Sequence, residues 1–253
     1  MNNTIVAFVL GVPFVLLFGF YMLAVYLSNH HRRWPLYRSV LWTAGVSFSI
    51  LSVAGPIAER AHTDFTAHML GHLFLGMLAP LLMALAAPMS LLLRTLPVKG
   101  ARRLTRLLRS KPVGVLSNPV TATILNIGGL WLLYTTDLYM MMHHSIILHV
   151  FIHIHVFLAG YLFTISMIYI DPIPHRFSYR YRAIVLVIAL AGHGILSKFI
   201  YANPPSGVPA DQAQAGSRLM YYGGDMIDVV IIFLLFLYWY QAARPRKRAA
   251  QVT

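Results

Sequence analysis

Cysteine is missing from all 253 residues of the sequence. Its absence removes disulfides, thiolate metal sites and CxxC redox chemistry together, so a metal here has to bind histidine, methionine, carboxylate or backbone. Charge is scarce as well: 11% of the residues are charged, and only seven of these are Asp or Glu. With 58% hydrophobic residues and a mean hydropathy of +0.67, the chain is no ordinary soluble domain, and the bilayer is the solvent to reason in. No basic region precedes the first apolar run, which starts right after "MNNT". That run therefore reads as a retained span rather than a secretory signal.

What the sequence does have is apolar runs long enough to cross a bilayer, at about 5–27, 39–57, 66–93, 119–136, 145–170, 182–201 and 220–241. The expected fold is all-α, a single seven-helix membrane domain over 1–253, with a basic interfacial loop at 94–118 and an irregular outer loop at 202–219. The formal charge of +13 raises the question of a nucleic-acid partner, and its distribution answers it. Four loops, around Arg32–Arg38, Arg94–Lys111, Arg176–Arg182 and Arg244–Arg248, hold 17 of the 20 Lys and Arg. The alternate loops hold Arg60, Lys198 and Arg218 and lie near six of the seven acids. Topology accounts for the charge without nucleic acid: the positive-inside rule places the N-terminus outside and the "RPRKRAAQVT" tail in the cytoplasm. In "KGARRLTRLLRSKP", leucines and arginines alternate at near-helical spacing, which suits a short helix lying on an anionic leaflet.

This orientation gives each polar residue within a span a depth. His68 and His72 lie in the outer half of the third helix, His149 and His153 in the outer half of the fifth. His193 lies about 12 Å below the outer end of the sixth, and Asp225 and Asp228 near the outer start of the seventh. Residues four apart share a helix face. Asp64, His68 and His72 form one stripe, Met142, Ser145, His149 and His153 a second, and Tyr221, Asp225 and Asp228 a third; Ser197 shares the face of His193, and His155 points away. One intramembrane histidine is commonly a hydrogen-bonding partner between helices. Five histidines and two aspartates at one depth are expensive, and as a group they point to function.

Two histidines at i and i+4 can present both imidazoles to one ion. Imidazole without thiolate suits copper, zinc, iron or nickel, and the nearby thioethers of Met69, Met140, Met141, Met142 and Met220 favour Cu(I). Methionine is also an adaptable core filler, so the run "MMMHH" at 140–144 carries more weight: it reads as an outer loop with no core to fill, a collar through which an ion comes in. Haem b held by histidines of two helices is the alternative. A proton or ion pathway is a third possibility, but nothing comparable lines the inner half. Pro80 and Pro88 are expected to kink the third helix.

From His68 to Pro88 the chain reads H-x-x-x-H-L-x-L-x-x-x-A-P-x-L-x-x-x-x-x-P, and "DQAQAGSRLMYYGGDMIDVV" looks like an outer loop running into a last helix. With seven spans and an outside N-terminus, these features resemble the CtaG-type cytochrome c oxidase assembly factors, the multispan family associated with caa3-type oxidases. The single-span copper chaperone of the same name is a different protein, whose chemistry rests on cysteines absent here. Tyr221 and Tyr222 stand where many relatives carry another aromatic, often tryptophan. The resemblance implies a non-enzymatic role in the bacterial plasma membrane, supplying copper to cytochrome c oxidase subunits with or without a copper donor protein; a scaffold for oxidase subunits without metal is the remaining alternative. The expected metal residues are His68, His72, His149, His153, His193 and Asp225, with Met140, Met141, Met142, His143 and His144 as the collar.

Overall fold

The computed structural model describes residues 3–30 and 32–244; the basic tail from Arg246 to Arg248 lies outside them. The described residues are helical, with no strand. In chain order they form α1 (Asn3–Asn29), α2 (Leu36–Ala54), α3 (Pro56–Ala61), α4 (Phe65–Leu73), α5 (Ala79–Leu85), α6 (Pro88–Thr95), α7 (Val98–Leu108), α8 (Lys111–Leu116), α9 (Pro119–Thr123), α10 (Gly129–Thr135), α11 (Leu138–His144), α12 (Ile146–Met167), α13 (Tyr179–Ala202) and α14 (Ala210–Ala243). A π turn at Phe74–Leu78 joins α4 to α5, and another at Ile124–Gly128 joins α9 to α10.

Six helical segments are long and apolar enough to cross a membrane: Ile5–Asn29, Leu36–Ala61, Phe65–Leu85, Ile146–Met167, Tyr179–Ala202 and Ala210–Ala243. The remaining expected span, Pro119–Thr135, is continuous helix broken in register by its π turn. Many of its neighbours' large apolar side chains point outward, as they must where lipid replaces water: Phe8, Phe151, Val187 and Phe233 are all exposed.

Two expectations need correcting at the ends of helices. The third span was expected to run to 93, but it stops at Leu85. Ala87 turns through a left-handed conformation (φ 53°), and Pro88 starts α6, a position where its missing N–H costs nothing. The turn is pinned from α1, since the Tyr21 hydroxyl donates to the Ala86 carbonyl at 3.0 Å while the Trp34 indole N–H donates to Tyr21 at 3.0 Å. The loop expected to be irregular from 202 to 219 is irregular only as far as Pro209, because "DQAQAGSR" already belongs to α14. Ala, Gln and Arg are good helix formers, and no proline lies between 209 and 245 to stop them.

The basic loops gather at one end of the bundle. Arg94 donates to the Arg32 carbonyl at 3.0 Å, Tyr181 donates to the Asn118 side chain at 3.3 Å, and Trp239 stacks on Tyr179 with centroids 6.1 Å apart. Asp171, the acid that sits among the basic loops, accepts from the Met89 and Ser90 N–H groups at 3.0 and 2.7 Å and so caps α6 from another part of the chain. Arg182 is buried rather than in a loop. Its guanidinium donates to the Met167 carbonyl at the end of α12 and lies over the rings of Tyr169 and Tyr179, at 3.9 and 4.4 Å. At the opposite end, Gln212 accepts from the Phe65 N–H and Ser206 donates to Asp137.

The interior is organised by α12, which packs on both π turns and on α5 and α9. It crosses Gly76 so closely that a Cβ on Gly160 would run into the Gly76 carbonyl oxygen. Only glycine permits that crossing. Gly160→Ala is therefore expected to force α12 off the π turn and cost about 1–3 kcal/mol, the usual penalty for overpacking. Thermal unfolding in detergent reads this directly, and an unchanged midpoint would show that the crossing is not tight.

Candidate functional site

At the end of the bundle with few basic residues, opposite the basic loops, a chamber of 240 Å³ opens between α1, α2, α4, α11 and α12. Five histidines line it: His62, His68, His143, His149 and His153. Ser52 and Met142 complete the inner wall and Glu59 lies at the exposed rim.

Each histidine is placed by local backbone. His62 closes α3, a single turn begun by Pro56. Asp64 then caps α4, its carboxylate accepting from the Thr66 N–H at 2.8 Å; it belongs to the helix start and does not line the chamber. His68 follows one turn into α4, and its Nε2 is engaged with the buried Tyr134 hydroxyl at 3.0 Å. That leaves Nδ1 as the ring atom of His68 free for another partner.

His143 and His153 share one arrangement. Each places Nδ1 on the carbonyl four residues earlier, Tyr139 at 3.0 Å and His149 at 2.8 Å. A carbonyl only accepts, so Nδ1 carries the proton and the lone pair is on Nε2. This is the tautomer-fixing contact that metal-binding histidines commonly have. The rings of His149 and His153 stack with centroids 4.2 Å apart, and His62 lies 5.7 Å from His149 and 6.3 Å from His143. His149 Nδ1 is buried with no hydrogen-bond partner.

The expected residues divide. His68, His149 and His153 meet in the chamber, together with Met142 and His143. His72 sits deeper, in a 30 Å³ cavity that also touches His68, Tyr134 and His153, and its Nε2 has no partner. His193 lines a different cavity with Asp228. Asp225, expected to work with His193, is exposed, while Asp228 three residues later is buried. His144 is exposed.

The run "MMMHH" is a short helix, α11, rather than a loop without a core. Met142 is fully buried against the apolar cluster of Phe65, Met69 and Tyr134, whereas Met140 and Met141 are exposed. His155 turns away as expected: Nε2 donates to the Leu125 carbonyl in the second π turn at 3.0 Å. His62 is the residue that sequence reasoning missed. The spacing His62, His68, His72 carried a faint signal, but His62 belongs to no helical stripe and reaches the chamber from the end of α3, which packs on α2 and α4.

Among the described residues, no three His, Asp or Glu side chains already converge as a metal site. The chamber instead offers separate nitrogen lone pairs around a space large enough for an ion and its water. Burial, and then the neighbouring His143, push the pKa of His62 below its ordinary value. Burial, reinforced by the charge of Asp64, pushes Tyr139 upward.

A bundle of membrane-length helices with a histidine-lined chamber at its less basic end defines a multi-pass membrane protein. The sequence model of the cytochrome c oxidase caa3 assembly factor family matches residues 19–242, and the chain belongs to that family. An uncharacterized protein of Mycobacterium bovis is 32% identical over 177 residues, which is 66% of this chain and 26% of the relative; the figures for one of Mycobacterium tuberculosis are the same. An uncharacterized protein of Mycobacterium leprae is 29% identical over 266 residues, 96% of this chain and 39% of the relative. The chain thus spans about a quarter to two fifths of the length of these curated relatives. No solved structure matches.

The lowered pKa of His62 sets a pH dependence. Histidines in the unfolded chain gain protons as pH falls through about 6.5, while His62 in the fold stays neutral to a lower pH. Stability should therefore be fully present above about 6.5 and decline below it until the folded value is passed. His62→Gln should flatten the part of that decline owed to this residue. Unfolding midpoints of both proteins between neutral and mildly acidic pH test this, and superimposable curves would count against it.

Proposed function

We propose that this protein is a plasma-membrane assembly factor that takes copper from the extracytoplasmic side into the histidine chamber and passes it to a cytochrome c oxidase subunit. It acts without catalysing a reaction. In this reading Pro119–Thr135 is the seventh span, at about 25 Å long near the lower limit for crossing. The less basic end, with the chamber and the start of α1, faces outward, and the basic loops face the anionic inner leaflet. The amphipathic α7, with its exposed arginines, would lie along that surface.

The observation that carries the proposal is the state of the chamber's nitrogens. His143 and His153 have Nδ1 tied to backbone and Nε2 free, and His149 Nδ1 is buried without a partner. Leaving a buried nitrogen such as His149 Nδ1 unpaired is costly in a bundle, and an ion compensates that cost. Imidazole with the Met142 thioether suits copper, above all Cu(I). A bare ion fits better than haem held between two helices, because the chamber measures 240 Å³ and His68, its α4 histidine, has Nε2 engaged with Tyr134. Membership of an oxidase assembly family supports the choice of recipient. Donors that are close but not converged suit a carrier that has to release its cargo.

The double variant His149→Ala/His153→Ala should insert and fold but lose at least one bound copper, and it should fail to restore oxidase activity to cells lacking the protein. His155→Ala, which removes a histidine facing away from the chamber, should leave copper binding unchanged. Elemental analysis of the purified proteins, with an optical spectrum of the same samples, reads both. Full copper stoichiometry in the double variant would reject the ligand assignment, and iron with a Soret band would move the function to haem.

A further inference from the structure

A second polar cavity lies deeper in the bundle, separate from the outer chamber, and the assignment above does not use it. It measures 20 Å³, room for one water-sized particle. Gly76, Met77, Asn126, Thr164, His193 and Asp228 line it, together with apolar side chains. His193 is 3% exposed and Asp228 4%, and His193 Nε2 has no hydrogen-bond partner. The Thr164 hydroxyl donates to the Gly160 carbonyl, which leaves its oxygen lone pairs free to accept.

We propose that His193 and Asp228 form a deeper station for monovalent copper, reached from the outer chamber by way of His72. The inference rests on the copper reading of the chamber and extends it inward. Three observations carry it.

The first is chemical. Of the residues around the cavity, the His193 imidazole and the Met77 thioether are the types that suit Cu(I), while Asp228 supplies charge rather than a soft ligand. The second is charge. An intramembrane carboxylate with nothing to balance it is expensive, and one monovalent cation beside Asp228 leaves the site neutral, where a divalent ion would leave a net charge in low dielectric. The third is continuity. The outer chamber and the 30 Å³ cavity share His68 and His153. His72 lines the latter, and a Cβ added to Gly76 would lie 3.3 Å from its Cε1. Gly76 also lines the deep cavity, so His72 and that cavity border the same residue, over which Val156 of α12 packs.

The local sequence keeps the deep imidazole in place. A Cβ on Gly224 would come within 2.5 Å of His193 Cε1, so α14 has glycine where the ring packs and the carboxylate of Asp228 one turn further on. The Ser197 hydroxyl donates to the His193 carbonyl at 3.0 Å and closes the same turn of α13.

The test is anaerobic titration of the full chain in detergent with Cu(I) against a chromogenic Cu(I) chelator. The wild type should hold two ions per chain. His193→Gln and Asp228→Asn should each hold one, and Asp228→Asn retains size and hydrogen bonding if the histidine variant folds poorly. His149→Ala/His153→Ala should also hold one, and should load it more slowly because the outer chamber no longer collects the ion. Two ions in both His193→Gln and Asp228→Asn would overturn the deep station and leave a water in the cavity. One ion in the wild type, lost only in the outer variant, would overturn the deep station and leave the outer reading standing. No bound copper in the wild type would overturn both.

Discussion

A carbonyl released inside a membrane bundle has to be met by another part of the protein, and this constraint sets the position of α12. Pro80 has no N–H to return to the helix, and the π turn before it takes up the mismatch, with the Ala79 N–H donating to the Phe74 carbonyl five residues back. α12 crosses at that point, glycine against glycine, at Gly160 and Gly76. At the second π turn the Leu125 carbonyl is taken by His155 of the same helix. Once these two contacts fix the height and rotation of α12, His149 and His153 have nowhere to face but the outer chamber, and His155 faces the other way. The π turns and the chamber are thus parts of one arrangement, in which irregular backbone is tolerated because the protein itself covers it.

The same logic separates the histidines into two kinds. His155 makes a full structural contact through Nε2, and His68 is tied through Nε2 to Tyr134. His143 and His153 are held by Nδ1 on backbone one turn earlier and keep the other nitrogen free. A packing histidine uses up its donor on a neighbouring helix; these two use theirs within their own helix, which orients the ring without closing it off. His72 and His193 have an unpartnered Nε2 deep in the protein. Aromatic residues pack around His68: Tyr134 and Tyr139 lie edge-on to it and to Phe65, and Phe65 stacks on it, so the ring is held by apolar faces apart from its Nε2 contact with Tyr134.

Much of this was legible in the sequence because the bilayer imposes simple rules. Spans of apolar residues, alternation of basic loops and the meeting of His68, His149 and His153 follow from length, charge and helical repeat, whereas His193, expected at the same depth, lines a separate cavity. What was illegible depended on rotation and on helix ends. Asp225 and Asp228 both lie near one stripe on a helical wheel, and only the packing of α14 on α4 and α13 turns Asp228 inward and leaves Asp225 exposed. His62 could not be read from periodicity, since it caps α3 at the end of the Leu36–Ala61 segment rather than lying on a helical stripe. The end of the third span at Leu85 turned on a left-handed alanine, a conformation that no propensity favours and that the Tyr21 contact with the adjoining Ala86 carbonyl holds in place. Met142 misled for a related reason: a methionine run between spans looked free of any core until α11 folded it into one.

Under the proposed copper-carrier reading, the spacing of donors along the bundle bears on release. A resident metal site gathers three or four ligands around one point, and its affinity makes exchange slow. Here the free nitrogens are distributed instead, five imidazoles around the outer chamber, His72 below them and His193 with Asp228 below that. An ion moving between such positions exchanges one or two ligands at a time and never has to be stripped to a bare charge in low dielectric, the step that makes ions in membranes costly. Neutral imidazoles hold a monovalent soft cation by donation rather than by charge, so binding at the outer chamber leaves the ion's charge largely uncompensated except for Glu59 at the rim. A weakly compensated ion beside an exposed mouth is poised to leave toward a partner that offers better ligands, and an ion balanced by Asp228 is poised to stay. If copper binds as proposed, the chamber suits exchange and the deeper cavity, with its carboxylate, suits storage.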